Sequence, residues 1–242
     1  MFETVIVGMA NGAGDDDALA LAERLAPDGA DVAREHVDSG AVGKSLRDAA
    51  ARRGAGLIVI GSSRRGLIGR TLGGDDVAGT LRCAICAVAV APHGYAGRDR
   101  EIATIGVGYD GSSQAKLALE AARSLAARDG ARLHALGVAT PPQGLATPIG
   151  VSAVASLEAK RDDIERCIGE LGPEIEGRAV DGIAHQELAQ LSEKVDLLVI
   201  GTSRRHGRIA RALLGSTPDA LSREAACPLL VVPEGPGDDA DG

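Results

Sequence analysis

Two stretches of this 242-residue chain carry residue types suited to holding a small anion. Residues 201–217 read GTSRRHGRIARALLGST, and residues 61–76 read GSSRRGLIGRTLGGDD. A glycine directly after a β-branched run lets the backbone turn tightly and come close to a ligand. In the later stretch Ser216 and Thr217 stand just before Pro218 and an apolar segment, so a hydroxyl caps a helix there and the proline fits its first turn. A helix start offers unpaired N–H groups and the positive end of its dipole to a phosphate. Arg204, Arg205 and Arg208 bring positive charge beside it. The earlier stretch ends in Asp75 and Asp76. These carboxylates can cap a helix, but each opposes a phosphate by about 1 kcal/mol in water and about 4 kcal/mol at an intermediate dielectric. Anion binding is therefore expected of the later stretch alone. The same residues also suit a plain connection into a well-capped helix, and they match neither the Gly-Lys-Ser/Thr phosphate loop nor the dinucleotide fingerprint.

The elements that must position these loops repeat along the chain. TVIVG at 4–8 answers TIGVG at 104–108, LIVIG at 57–61 answers LLVIG at 197–201, and the halves close with AVAVAP at 87–92 and PLLVVP at 228–233. Short β-branched runs alternate with amphipathic Ala/Leu/Arg segments, the pattern of βαβ units around a parallel sheet, so the fold class is α/β. In the second half this predicts strands near 104–109, 133–139, 174–180, 196–200 and 228–232, with helices near 113–129, 152–171, 183–193 and 216–225. Gly8 to Gly61 spans 53 positions, whereas Gly108 to Gly201 spans 93. Matching Val37-Asp38 to Val180-Asp181 puts the deficit before the strand at 31–37, which reads as loss of the second strand and second helix. The expected organisation is a truncated domain at 1–93, a linker at 94–103, a complete domain at 104–233 and an acidic, disordered tail at 234–242. The last strands, 87–91 and 229–232, are apolar edges that invite aggregation unless they cover one another, so they are expected to pair and make the chain a pseudo-dimer.

A net charge of −8 and only three aromatic residues, Phe2, Tyr95 and Tyr109, argue against nucleic-acid or anionic-membrane binding. MFETVIVG carries no basic leader, and the longest apolar run, Cys83 to Ala91, is about half a membrane helix, so a cytoplasmic location is expected. Cys83 and Cys86 form a CxxC at a helix end, where the dipole has the wrong sign to favour a thiolate; all four cysteines read better as buried small apolar residues. The five histidines lie near no nucleophile, and His206 alone falls in the loop.

Taken together, VGYDGSSQAKLALEAA (107–122), DLLVIGTSRRHGRIARALLGST (196–217) and ACPLLVVP (226–233) resemble the universal stress protein family. The resemblance implies two tandem open parallel-sheet, flavodoxin- or Rossmann-like domains of strand order 3-2-1-4-5, with a G-x2-G-x9-G-[S/T] loop after strand four. It implies one ATP or AMP per chain, with or without Mg, and a further option of homodimers. By position, Gly108, Tyr109 and Asp110 would line the adenosine site, Val138 would wall the adenine, and Ile200 would lead into Gly201, Ser203, Gly215, Ser216 and Thr217 around the phosphates. Arg204 stands where the motif has its second glycine, Gly201 to Gly215 is one residue longer than the family spacing, and Gly207 would restore the turn. In the first half Ala10 replaces Asp110 and Asp75-Asp76 replaces Ser216-Thr217, and the strand carrying Val138 is taken as missing. The implied function is a nucleotide-responsive stress sensor rather than an enzyme. Two other readings stay open: a stress scaffold that binds no nucleotide, and a weak ATPase of the adenine nucleotide α-hydrolase group, although its SGGxDS and HxGH signatures are missing.

Overall fold

The computed structural model describes residues 1–12, 14–37, 41–62, 74–98, 101–141, 151–202 and 216–234. Among them the first half contains β1 (Thr4–Met9), α1 (Gly14–Leu25), β2 (Asp31–His36), α2 (Val42–Arg53), β3 (Leu57–Gly61), α3 (Gly74–Cys83) and β4 (Ala87–Ala91). The second half contains β5 (Thr104–Gly108), α4 (Ser113–Asp129), β6 (Arg132–Ala139), α5 (Val151–Gly169), β7 (Ile175–Asp181), α6 (Ala184–Ser192), β8 (Leu197–Thr202), α7 (Ser216–Glu224) and β9 (Leu229–Pro233). The inner strands are largely apolar because helices cover both of their faces. β3 and β4, for example, are buried at every residue. Helix α4 shows how the sequence sets its own limits. The Ser112 hydroxyl accepts the Ala115 N–H at 3.2 Å, and Gly130, at φ 69°, closes the other end with its N–H on the Ala126 carbonyl.

All strands form one sheet in the order β2-β1-β3-β4-β9-β8-β5-β6-β7. Read from its outer edge, the second half is 3-2-1-4-5. β4 and β9 run antiparallel, with Ala89 opposite Leu230 and Val88 opposite Val231, and the other neighbours are parallel. Two apolar layers cover the sheet, and each crosses from one half to the other. One joins α1 and α4 over Val5, Ala89, Val107 and Leu230; the other joins α2, α3, α6 and α7 over Ile6, Val90, Leu198 and Leu229.

The deletion in the first half falls elsewhere than the sequence reading placed it. β2 lies directly beside β1 with Thr4 opposite Asp31, as β6 lies beside β5 with Thr104 opposite Arg132. β2 is therefore the second strand, and the missing pieces are the second helix and the outer third strand, the counterparts of α5 and β7. The misreading has a physical cause. With its outer neighbour gone, β2 became the sheet edge and took on the charged sequence DVAREH, which resembles the other edge strand, IEGRAVD, more than the buried β6. Val37, whose N–H donates to the Met9 carbonyl at 2.9 Å, stands where Val138 stands in the second half, so an apolar wall is present in both halves.

Side chains also tie the halves together. Arg128, at the end of α4, donates to the carbonyls of Arg24 (2.8 Å), Leu25 (2.9 Å) and Ala26 (3.3 Å), which the end of α1 leaves without helical partners. Its own Asp129 hydrogen bond raises its pKa further, so this clamp is always charged. The buried Asp17 carboxylate accepts the N–H groups of Gly94 (2.9 Å) and Ala96 (2.8 Å), which fixes the start of the linker. Arg128→Ala should lower stability by about 2 kcal/mol, as expected for charge-assisted hydrogen bonds. For a chain of this size that is about 4–8 °C in melting temperature, measurable by calorimetry. Residues 100–234 should melt cooperatively when expressed alone, whereas 1–96, which loses half of each shared layer, should not. A cooperative transition for 1–96 at the temperature of the whole chain would refute this dependence.

Candidate functional site

β5 feeds α4 on one face of the sheet, and its neighbour β8 leads towards α7 on the other. Chain connections that part to opposite faces leave a crevice at the carboxyl ends of the two strands, the usual ligand position in open α/β sheets. A cleft of about 220 Å3 lies there. Leu136, Val138, Ala184, Leu188 and Ile200 give it an apolar floor, and Asp110, Ser112 and Thr217 supply side-chain polar groups around it. Close packing demands two of its glycines. A Cβ on Gly108 would press on Ile200 at 3.2 Å and Leu188 at 3.4 Å, and one on Gly201 would lie 2.1 Å from the Gln114 carbonyl oxygen. Gly201 thus lets the first turn of α4 rest on the end of β8.

Asp110 is the one carboxylate lining the cleft among the described residues. Its Oδ1 accepts the Ser112 N–H at 3.1 Å and the Ser112 hydroxyl at 2.6 Å, which fixes the carboxylate, while its Oδ2 accepts no hydrogen bond among the described residues. A carboxylate held by one oxygen and open at the other can accept from vicinal hydroxyls of a ligand. Tyr109 borders the cleft, but its ring belongs to the apolar layer under α4, where burial pushes the phenol pKa up. Just outside the lining, Glu234 accepts from the Ser113 hydroxyl at 3.0 Å and from the Gln114 amide.

Of the residues singled out in the sequence, Gly108, Tyr109, Asp110, Val138, Ile200, Gly201 and Thr217 come together around this one cleft. Ser216 opens α7. Ser203, Arg204, Gly207 and Gly215 lie outside the described residues, as do Arg205, His206 and Arg208. Sequence reasoning missed Ser112, Ala115, Leu136, Ala184, Leu188 and Pro218 as lining. Ser112 carried a signal in its position, two residues after Asp110 and at a helix cap; the apolar residues read only as core.

The first half repeats the scaffold. A Cβ on Gly61 would lie 2.1 Å from the Gly14 carbonyl oxygen, and one on Gly8 would meet Ile60 and Leu46, each at 3.0 Å. Its polar equipment differs. Ala10 stands in the place of Asp110, and its N–H donates to the Asp15 carboxylate at 3.0 Å, as the Gly12 N–H does at 3.3 Å. An ion pair between Arg64 or Arg65 and Asp75 or Asp76, which the sequence suggests, falls outside the described residues.

Cys227 alone fits the expectation of buried cysteines, with burial pushing its thiol up to about 12; Cys83, Cys86 and Cys167 are half-buried. Cys83 ends α3 and Cys86 precedes the edge of β4, so both sit at the rim of the layer rather than in it. Cys227 should resist a thiol reagent at pH 8 in the native chain while the other three react, a pattern that mass spectrometry reads directly. No helix among the described residues is long and apolar enough to cross a membrane, and none of them groups three His, Cys, Asp or Glu for a metal ion.

The model of the universal stress protein family matches residues 1–92 and 101–233. A universal stress protein of Mycobacterium tuberculosis is 34% identical over 184 residues, covering 73% of this chain and 61% of that protein. The chain thus spans about three fifths of that relative's length. A second from the same organism is 27% identical over 227 residues, covering 90% of this chain and 77% of the relative. Among solved structures, a universal stress protein from Archaeoglobus fulgidus matches with a TM-score of 0.63 at 16% identity, covering 97% of this chain and all of that one, which is a likeness of fold.

Proposed function

The chain belongs to the universal stress protein family, and on that premise we propose that it is a cytoplasmic, nucleotide-responsive regulatory protein that holds one adenine nucleotide per chain in the cleft of its second half. The observation that carries this reading is the cleft at the β5/β8 switch point, apolar where a base would lie and bordered by Asp110 with one carboxylate oxygen open. The aliphatic floor suits an adenine ring, Asp110 suits the ribose hydroxyls, and the start of α7 with Ser216 and Thr217 suits the phosphates, with Mg as a companion ion. The first half, with Ala10 at the ribose position and Asp75-Asp76 at the phosphate position, serves as a structural partner. Its β4 covers β9 within the same sheet, where a single-domain relative would need a second chain.

Binding without turnover is the reading we favour, because the carboxylate at the cleft, Asp110, is the group that suits the ribose hydroxyls. Thermal shift with AMP, ATP and cyclic AMP tests the binding. A ligand at 100 times its Kd should add about 2.7 kcal/mol of stability, and no shift with any of the three would leave the scaffold reading. Release of phosphate from ATP at a steady rate would point instead to the ATPase.

A further inference from the structure

We propose that the first half holds a closed copy of the cleft, occupied from within by the carboxylate of Asp15. This rests on the reading of the second-half cleft as a nucleoside site. The two halves correspond position by position. Thr4 and Thr104 open the central strands with matching pairing to the second strands, and Leu46 and Leu188 lie against the equivalent glycines Gly8 and Gly108. By this correspondence Ala10, Asp15 and Val37 stand where Asp110, Ala115 and Val138 stand. One helical turn before the two leucines, Val42 stands where Ala184 stands.

Ala115 presents only a methyl group to the open cleft. In its place Asp15 reaches back and takes the N–H groups of Ala10 and Gly12 at 3.0 and 3.3 Å, so the turn that in the second half carries the open carboxylate of Asp110 is filled by a carboxylate of the helix itself. Val42, 1% exposed, adds two carbons where Ala184 leaves room. Of the remaining wall, Val37 and Ile60 are buried as their counterparts are, whereas Glu35, opposite Gly8, stands where Leu136 stands opposite Gly108 and puts a second carboxylate, paired with Arg52, at this closed copy. Asp15 is thus the residue that keeps the first half empty. A helix cap alone would explain its hydrogen bonds but would not make it decide ligand number. Because Asp75 and Asp76 still replace Ser216 and Thr217, the reopened copy should take an uncharged nucleoside, adenosine, and refuse AMP.

Two variants of the full chain test this by calorimetry and equilibrium dialysis. Ala115→Asp copies the plug into the second half. An acidic residue suits the first turn of α4, but position 115 is only 4% exposed, so the variant's cooperative melting is recorded first and a lower melting temperature is expected. Adenosine and AMP binding by the folded variant should fall by about 100-fold or more as the carboxylate takes up the apolar space. Ala10→Asp combined with Asp15→Ala and Val42→Ala should raise bound adenosine from one to two per chain and leave AMP at one. Undiminished adenosine binding by Ala115→Asp would overturn the inference, as would one adenosine per chain in a triple variant that melts cooperatively. If the triple variant does not fold, the Ala115→Asp arm decides. If the natural chain binds neither ligand, the nucleoside reading fails on its own. The inference, which rests on that reading, then falls with it, whereas a natural chain that binds one adenosine leaves the two variants to decide closure by themselves.

Discussion

Replacing Ser216 and Thr217 together by aspartate should abolish AMP and ATP binding while leaving adenosine binding close to its original value. The change transplants the first half's own Asp75-Asp76 to the start of α7, and since α3 begins as a helix with those residues, α7 should form as before. Each carboxylate opposes a phosphate by about 1–4 kcal/mol according to how much water reaches it. Together they weaken AMP by at least about 30-fold, at the conversion of 1.4 kcal/mol per factor of ten. The penalty grows with ligand charge, so ATP should suffer more than AMP, and adenosine, with no charge to oppose, should suffer little. Equal loss for all three ligands would mean that the aspartates had damaged the base or ribose end, and no loss for any would mean that the phosphates lie elsewhere.

Leu230→Asp should unfold both halves in one transition. Leu230 is fully buried, sits opposite Ala89 across the β4–β9 seam, and belongs to the apolar layer that joins α1 to α4. Truncating such a leucine costs about 2–5 kcal/mol through lost burial and the cavity left behind. A carboxylate without a partner adds the cost of burying its charge. Against a total stability of about 5–15 kcal/mol for a domain, the chain should be largely unfolded or should melt tens of degrees lower. Circular dichroism with a probe in each half reads the coupling. If α1 and α2 keep their native melting curve while the second half collapses, the two halves do not share a core.

How much of this was legible in the sequence depended on whether local pattern or spatial neighbour decided the outcome. The strands and helices of the second half lie within a few residues of where periodicity and caps put them, because apolar runs, Ser112, Gly130 and the Ser-Thr-Pro start are local signals. The tandem organisation followed from repeated segments. The identity of β2 did not, because polarity reports exposure to solvent, and a second strand that has lost its outer neighbour looks like a third. The consequence was a wall wrongly taken as missing, when Val37 supplies it. Asp15 escaped notice because an acidic residue in a first helical turn is ordinary; its reach to Ala10 and Gly12 appears only once the turn is folded. The clamp of Arg128 on the end of α1 joins residues about a hundred positions apart and follows from packing alone.

Titration of the intact chain with AMP in a calorimeter, read for the number of molecules bound, tests the central claim most directly. One AMP per chain, lost in the Ser216→Asp/Thr217→Asp variant, is the predicted result; two per chain, or one that survives the substitution, would contradict it.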